Sequence, residues 1–358
     1  MNSEATRSLL VSNEQGSGSP YVSVIIPLYN NQQNIERCLR SVENQDYPND
    51  RMEIIVVDDG STDRSAEIAH EHNVKVLRQR HSGQGAARNK GVDEAHADII
   101  AFLDADDVAT NSWLKEVVPF LNDGEIVAVG CSHDLLNKDN DFVKIAWLER
   151  YFRHSYSPER TNHLGASGCI YNKSVFKEIG GFDPRMSPAE DMDLSIRVAS
   201  KGYTLFLIKK PLISVEYRTN LSKYMLSQVI KIAHMVMIYF KRKRAVKRIA
   251  ASYTGYADQA QGLLPIAFLV SLAFLQGFQI LIALGIALLI LLTLNMRFMR
   301  SVFVSRNRAG LGKSWPITLL FYLVVRSLSW SGGLIYGMWL VTRYRLMRYP
   351  IPMGSKDT

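Results

Sequence analysis

The chain has 358 residues, 47% of them hydrophobic and 21% charged, with a formal net charge of +8. That length allows more than one domain and a sizeable core, and the hydrophobic fraction is that of a globular protein. The positive surplus fits nucleic acid, anionic lipid or an anionic small molecule; much of it adjoins apolar runs, which disfavours nucleic acid.

Residues 1–20, MNSEATRSLLVSNEQGSGSP, lack an apolar run and are rich in Ser, Gly and Asn. They read as a disordered lead-in, not a signal peptide. Val22–Leu28 (VSVIIPL) reads as a buried strand entering a loop at Pro27. Asn31–Asn44 has helical spacing, with Ile35, Leu39 and Val42 on one face. Glu53–Val57 is a second strand, broken by DDGSTD, where Ser61 or Thr62 caps a helix running to about Asn73. Val74–Leu77 reads as a strand, Gln84–Ala95 as a helix, Ile99–Leu103 as a strand and Ser112–Leu121 as a helix. This alternation predicts an α/β domain with a mostly parallel sheet and helices on both faces. In such sheets ligands bind at the carboxyl ends of the strands, where PLYNN, DDGSTD and DADD all fall.

The strand at Ile99–Leu103 stops at three carboxylates, Asp104, Asp106 and Asp107. Like charges this close repel, so a multivalent cation belongs among them. Mg²⁺ or Mn²⁺ takes oxygen ligands from one or two carboxylates plus phosphates. In extended backbone Asp104 and Asp106 share a side and Asp107 turns away. Asp106 is then the direct ligand, and Asp104 acts through water or a ribose. Cys38, Cys131 and Cys169 lie far apart with no zinc spacing, and read as reduced thiols.

Beyond Val143 the periodicity weakens into Gly-rich turns, which read as an acceptor-binding face; Asp191–Ser200 looks helical. The catalytic unit is placed at 21–222. Residues 223–261 form a linker, whose Tyr224–Ile249 stretch carries KRKRAVKR and reads as an amphipathic helix on anionic lipid. Residues 262–343 form a transmembrane region. Within it, 262–295 holds 34 residues without a formal charge. One helix of that length would be about 50 Å long, so a two-span hairpin broken near Gln276–Gln279 fits better. Residues 316–342, with Arg326 inside, form a further apolar segment, and 344–358 is a cytoplasmic tail. The basic groups Lys241–Arg248, Arg297–Lys313 and Arg343–Arg348 place the flanks on the cytoplasmic side.

VSVIIPLYN, EIIVVDDGSTDRS, GQGAARNKGVDEAHADIIAFLDADD and GGFD…AEDMDLSIRVASKGY, in this order, resemble the family 2 glycosyltransferases of the GT-A fold. The tail resembles membrane-anchored bacterial members. The resemblance implies a nucleotide-diphosphate sugar donor, by family habit a UDP-sugar, a divalent metal at the DxD, and inversion at the anomeric carbon. It also implies a lipid-linked or glycan acceptor and a multi-pass bacterial inner-membrane protein with a cytoplasmic catalytic domain. Pro27 and Tyr29 match the nucleobase side, and Asp59 the carboxylate accepting from the base. Asp104 and Asp106 match the DxD acids, and Asp191 the base of the ED pair.

Pro188 sets that pair at a helix start, where free N–H groups favour a negative charge. Glu190 instead orients the acceptor, and Asp193 supports or caps. Arg88 faces the donor phosphates or pairs with Asp58 or Asp104. Many relatives carry a His downstream of the ED pair; here the stretch is ISVEYRTN, and either Arg218 supplies the positive charge or the site lacks that contact. Two other readings share these motifs. One is a polyprenyl-phosphate sugar synthase, whose phosphate acceptor needs no strong base. The other is an inactive scaffold, against which the intact DxD and ED stand. A processive synthase is disfavoured by the few spans and the absent QxxRW.

Overall fold

A computed structural model describes residues 19–217, 219–241, 256–272, 275 and 278–346. The expectations for residues 1–18, for Arg218, for KRKRAVKR beyond Lys241 and for the tail beyond Leu346 lie outside these residues. The first half alternates as read. Strands β1 (Val22–Leu28), β2 (Met52–Asp58), β3 (Lys75–Arg78) and β4 (Ile99–Phe102) are interleaved with helices α1 (Ile35–Glu43), α2 (Ser65–His70) and α3 (Gln84–Glu94). Then come β5 (Val108–Ala109), α4 (Trp113–Val117), β6 (Ile126–Leu135), α5 (Asp141–Tyr156), β7 (Arg160–Thr161), β8 (Cys169–Asn172), α6 (Lys173–Ile179), α7 (Glu190–Ser200) and β9 (Thr204–Val215).

One nine-stranded sheet runs β3-β2-β1-β4-β8-β6-β9-β5, with β7 paired to β9. The pairs among β1 to β4 are parallel, whereas β8 is antiparallel to both β4 and β6. All seven residues of β1 are buried because helices cover both faces. Val22, Val24, Ile26 and Leu28 enter one core layer, while Ile25 and Val57 enter the other. Gly91 lets α3 close onto β1, since a Cβ there would stand 2.4 Å from Ile25 Cγ2.

The C-terminal helices are α8 (Leu221–Lys241), α9 (Tyr256–Ser271), α10 (Phe278–Leu294), α11 (Met296–Ser305) and α12 (Trp315–Leu346). Three features bear on the sequence reading. First, α8 packs its apolar face on α12. A Cβ at Gly333 or Gly337 would come within 2.6 or 2.7 Å of Ile232 or Val236. Second, 262–295 does break into two helices, but the apolar part of α9 is only Gly262–Ser271. At about 1.5 Å per residue that is roughly 15 Å, half of a hydrocarbon core. Among the described residues one helix, Trp315–Arg343, is long and apolar enough to cross a membrane, or two if α10 and α11, bent by 63°, make one span. Third, 316–342 is unbroken helix, and its first half is not free. Leu319, Tyr322, Leu323 and Val325 share one core with Phe142, Trp147 and Leu148 of α5.

Candidate active site

Three loops leave the carboxyl ends of β1, β2 and β4, and hydrogen bonds tie the first two together. Asn30 N–H donates to Ser61 Oγ (3.0 Å), Asn31 N–H to Ser65 Oγ (2.7 Å) and Thr62 N–H to Asn30 Oδ1 (2.8 Å). Ser61 and Thr62 therefore do not cap α2; Asp63 accepts from Ser65 N–H at 3.0 Å instead. Pro27 sits within β1, with the Tyr29 ring beyond it stacked on His81 at 4.1 Å between centroids. Asp59 is buried under the loop after β3. Its carboxylate accepts from Gln79 Nε2 (2.7 Å), Ser82 N–H (2.8 Å) and Gly83 N–H (2.8 Å), and meets His81 Nδ1 at 2.9 Å. These four neighbours occupy its four lone-pair directions, so it fixes this loop beneath Tyr29.

After Phe102 the chain turns sharply. Asp107 N–H donates to the Asp104 carbonyl (3.0 Å), and this turn brings Asp107 back beside the other two acids. One carboxylate oxygen from each of Asp104, Asp106 and Asp107 lies within 4.8 Å of the others. The expectation that Asp107 faces away fails because the motif is a turn and not a strand. Nor does Asp107 cap a helix; it accepts from Ser167 Oγ at 2.5 Å. Burial, then the Asp104 charge, raises the Asp106 carboxyl above its usual range. Burial, with Asp104 and Asp106, raises Asp107 further. Three hard oxygen donors whose mutual repulsion is incompletely answered fit a divalent cation.

Arg88 is 1% exposed. It donates through Nη2 to Asp104 Oδ1 (2.6 Å) and through Nη1 to Glu190 Oε1 (2.9 Å), with its guanidinium 5.3 Å from the Phe182 ring centroid. Of the two roles read from the sequence, the structure shows the salt bridge: Arg88 joins the acidic turn to the first residue of α7. Glu190 is thus committed to Arg88. Burial raises its carboxyl, Arg88 opposes this, and Asp191 adds to the rise. Asp191, the next residue, lines the same cavity of about 450 Å³ as Asp104, Asp106 and Asp107. Asp193 is buried and accepts from Arg197 Nε at 2.8 Å, a supporting contact within α7.

Residues 23–180 match the family model described as glycosyl transferase family 2. Over these residues the chain is similar to the family 2 glycosyltransferases. It is 30% identical over 197 residues to glycosyltransferase AglE of Haloferax volcanii, covering 52% of this chain and 64% of AglE. Against putative glycosyltransferase EpsH of Bacillus subtilis the identity is 44% over 222 residues, covering 57% of this chain and 62% of EpsH. The chain thus spans less than two thirds of the length of these relatives. In fold it resembles the mannosyltransferase PcManGT from Pyrobaculum calidifontis, solved with GDP-Man and Mn²⁺. The TM-score is 0.59 at 20% identity over 92% of this chain and 93% of that one. The mixed α/β sheet is that of the GT-A fold.

The same cleft is lined by further residues, most of which the sequence reading did not single out. Arg150 and Arg153 of α5, Lys231 of α8 and Arg326 of α12 line it, with His133, His154 and His163. Burial and the Arg150 charge hold His133 well below the ordinary histidine value. Burial, then Arg150 and His163, brings His154 down to about 3. His163 is brought down by burial to about 4, with Asp191 opposing and Lys231 and Arg150 assisting. Arg326, inside an apolar run, was the one visible signal of this wall. It pairs with Glu149 at 2.8 Å. Glu149 also accepts from Arg153 (2.7 Å) and from the Tyr322 hydroxyl.

Proposed function

We propose that this chain transfers a sugar from a nucleotide-diphosphate sugar to a hydroxyl of a membrane-associated acceptor, lipid-linked or glycan, with inversion at the anomeric carbon. The observation that carries this is the Arg88 bridge: one buried guanidinium holds the metal-type acids and the ED helix in a single cleft. The GDP-Man and Mn²⁺ of the fold relative support a nucleotide-sugar donor and a divalent metal. Asp106 and Asp104 are the proposed ligands, with Asp107 close enough to join them. Bound Mg²⁺ or Mn²⁺ would supply charge neutralisation for the donor diphosphate.

The chain's own residues do the rest. Tyr29 offers a ring face beside Pro27 for the base, and Asp59 fixes the loop beneath it. Arg88 positions Asp104 and α7. The acceptor oxygen attacks the anomeric carbon on the face opposite the diphosphate. The bond from that carbon to the diphosphate oxygen breaks, the nucleoside diphosphate leaves, and Asp191 takes the hydroxyl proton. Attack from the opposite face inverts the configuration.

Association with a membrane is part of the proposal. Phe278, Leu281 and Leu289 of α10 are 74%, 61% and 65% exposed, a large unpaired apolar face. The basic stretch Arg297–Lys313 beside it supports a cytoplasmic catalytic domain at the inner membrane. The test uses detergent-solubilised protein, Mn²⁺ or Mg²⁺, and UDP-, GDP- and dTDP-sugars with native membrane lipid extract. Turnover of one donor, abolished by Asp106→Ala, is expected. Nucleotide binding without turnover of any donor would favour the scaffold reading.

A further inference from the structure

We infer that the C-terminal helices sit in one leaflet of an anionic bilayer without crossing it. In this arrangement α12 lies along the membrane surface beneath the catalytic domain, and α9 and α10 form a hairpin that enters the leaflet and returns to the same side. The inference rests on the membrane association proposed above and goes beyond it by assigning the mode of insertion.

By length and composition α12 is able to cross, but the catalytic domain holds its inner side along most of its length. Leu319, Tyr322 and Leu323 pack in the core of α5, and Arg326 Nη2 reaches Glu149 Oε1 of α5 at 2.8 Å. Further along, Gly332, Gly333 and Gly337 let α12 close onto Val229, Ile232 and Val236 of α8. α8 is itself tied to the catalytic domain at both ends. The Tyr224 ring meets Phe142 edge-on at 5.1 Å between centroids. At the other end Ile238 is buried with Met186, Ala189 and Ile196, and Lys241 Nζ donates to Asp183 Oδ2 at 3.1 Å. A crossing by α12 would draw α5 and α8 into the hydrocarbon with Lys144, Glu149, Arg153 and Lys231, and charges there are costly. On the outer side, Ile317, Phe321, Val324, Leu328, Ile335 and Trp339 follow one another at helical spacing and are 39–76% exposed. Over about 33 Å they form one apolar stripe, the pattern of a helix lying in the interface and not through it.

The hairpin is rooted on α12 at both legs. Ser331 Oγ donates to the Gly262 carbonyl of α9 at 2.6 Å, and Arg326 Nη1 donates to Asn295 Oδ1, just after α10, at 3.0 Å. Residues 326 and 331 are about 8 Å apart along one helix, so the chain leaves and returns on the same side. α11 continues on that side, with Phe298 and Val302 buried in the core shared with α5, so the 63° bend at Asn295 ends the apolar leg. The legs Gly262–Ser271 and Phe278–Leu294 measure about 15 and 25 Å, each short of the roughly 30 Å of hydrocarbon. Phe278, Leu284 and Ile290 stand on three different sides of α10 and all are exposed, as in a helix wrapped by lipid. From residue 259 to 346 the sequence has no Asp or Glu. Arg297, Arg300, Arg306, Arg308 and Lys313 follow the return leg, and Arg343 follows the α12 stripe. That charge favours anionic head groups at the level of the roots.

The test maps accessibility in the full chain and needs no activity measurement. Cys38, Cys131 and Cys169 are buried, so a single added exposed thiol reports its own position. A membrane-impermeant maleimide is applied to right-side-out and to inverted membrane vesicles carrying Lys313→Cys, Thr342→Cys or Phe278→Cys. Lys313→Cys and Thr342→Cys, at the two ends of the apolar part of α12, should both label from the catalytic face, at least tenfold faster than from the other. Phe278→Cys should label from neither face until detergent is added; Leu281→Cys replaces it if that variant does not accumulate. Labelling of Thr342→Cys from the face opposite Lys313→Cys, or of Phe278→Cys from either face, overturns the inference. Flotation of the purified wild type with vesicles separates this failure from failure of the membrane reading. Binding to vesicles of phosphatidylglycerol and phosphatidylcholine should exceed binding to phosphatidylcholine alone at least threefold, and equal binding counts against an anionic leaflet. A wild type that stays soluble without detergent and floats with neither overturns the membrane reading as well. One that floats while the two ends of α12 label from opposite faces overturns only the mode of insertion.

Discussion

Replacing Arg88 by Met removes the cation between Asp104 and Glu190 while roughly keeping its length. The Arg88 and Glu190 side chains are 1% and 6% exposed, so water does not replace the lost charge. Breaking a buried ion pair by removing one partner costs about 3–5 kcal/mol. The Asp104 side chain is 27% exposed and recovers part of its share from water. The lower end, about 3 kcal/mol, is therefore the working figure. At about 2–4 °C per kcal/mol, Tm falls by roughly 6–12 °C. The loss carries a pH signature. Burial already raises the Glu190 carboxyl, and Arg88 is the main influence that opposes it. Without Arg88 the carboxyl rises further. A carboxyl raised in the folded state contributes stability below its unfolded value, and that contribution is lost as pH rises through the folded value. The deficit is therefore smallest at about pH 5 and grows toward about pH 8. Scanning fluorimetry in detergent and EDTA measures it. Adding Glu190→Gln to Arg88→Met should recover about 1–3 kcal/mol. A Tm within about 2 °C of wild type at every pH would refute the reasoning, as would an added loss from Glu190→Gln.

Three further outcomes are expected. In EDTA, Asp107→Asn should raise Tm, because it removes one of three crowded charges and keeps an acceptor for Ser167; saturating Mn²⁺ should then stabilise wild type by about 2–3 kcal/mol at 100-fold over Kd and the variant by less. Gly333→Leu drives a Cβ to 2.6 Å from Ile232 and should cost about 1–3 kcal/mol in the same melt, whereas Ile335→Ala, at a position 60% exposed, should cost little. Tyr29→Ala removes a ring stacked at 4.1 Å on His81 and should weaken nucleoside diphosphate binding by about 0.5–1.5 kcal/mol, read as a two- to tenfold rise in Kd.

The first half of the fold was legible because its strands are continuous β-branched runs ended by turn residues. β1 as found, Val22–Leu28, matches the reading residue for residue, and β2 and β4 differ only at their ends. The sheet's antiparallel half was not legible. β8 is four residues of CIYN inside a Gly-rich stretch, and β9 is a twelve-residue strand with Pro211 inside. Nothing in their spacing says that β8 pairs with β4. α5 was missed because its buried face mixes Phe142, Ile145 and Leu148 with charged neighbours, which blurs the period. The acids of the site were visible as motifs in the chain. The basic wall was not, since its four cations stand in three helices that meet only through tertiary packing. In the tail, apolar composition did not distinguish the face of α12 that is buried against α5 from the faces left exposed.

The central claim, that Asp191 removes a proton from an acceptor hydroxyl, is tested most directly by comparing Asp191→Asn with wild type. The two readouts are kcat with the identified donor and native lipid extract, and Kd for the nucleoside diphosphate with Mn²⁺. The account predicts a fall in kcat of about 10²- to 10⁴-fold with Kd unchanged. Retained turnover in Asp191→Asn, alongside a dead Asp106→Ala, would contradict it and make the acceptor nucleophile a phosphate oxygen that needs no base.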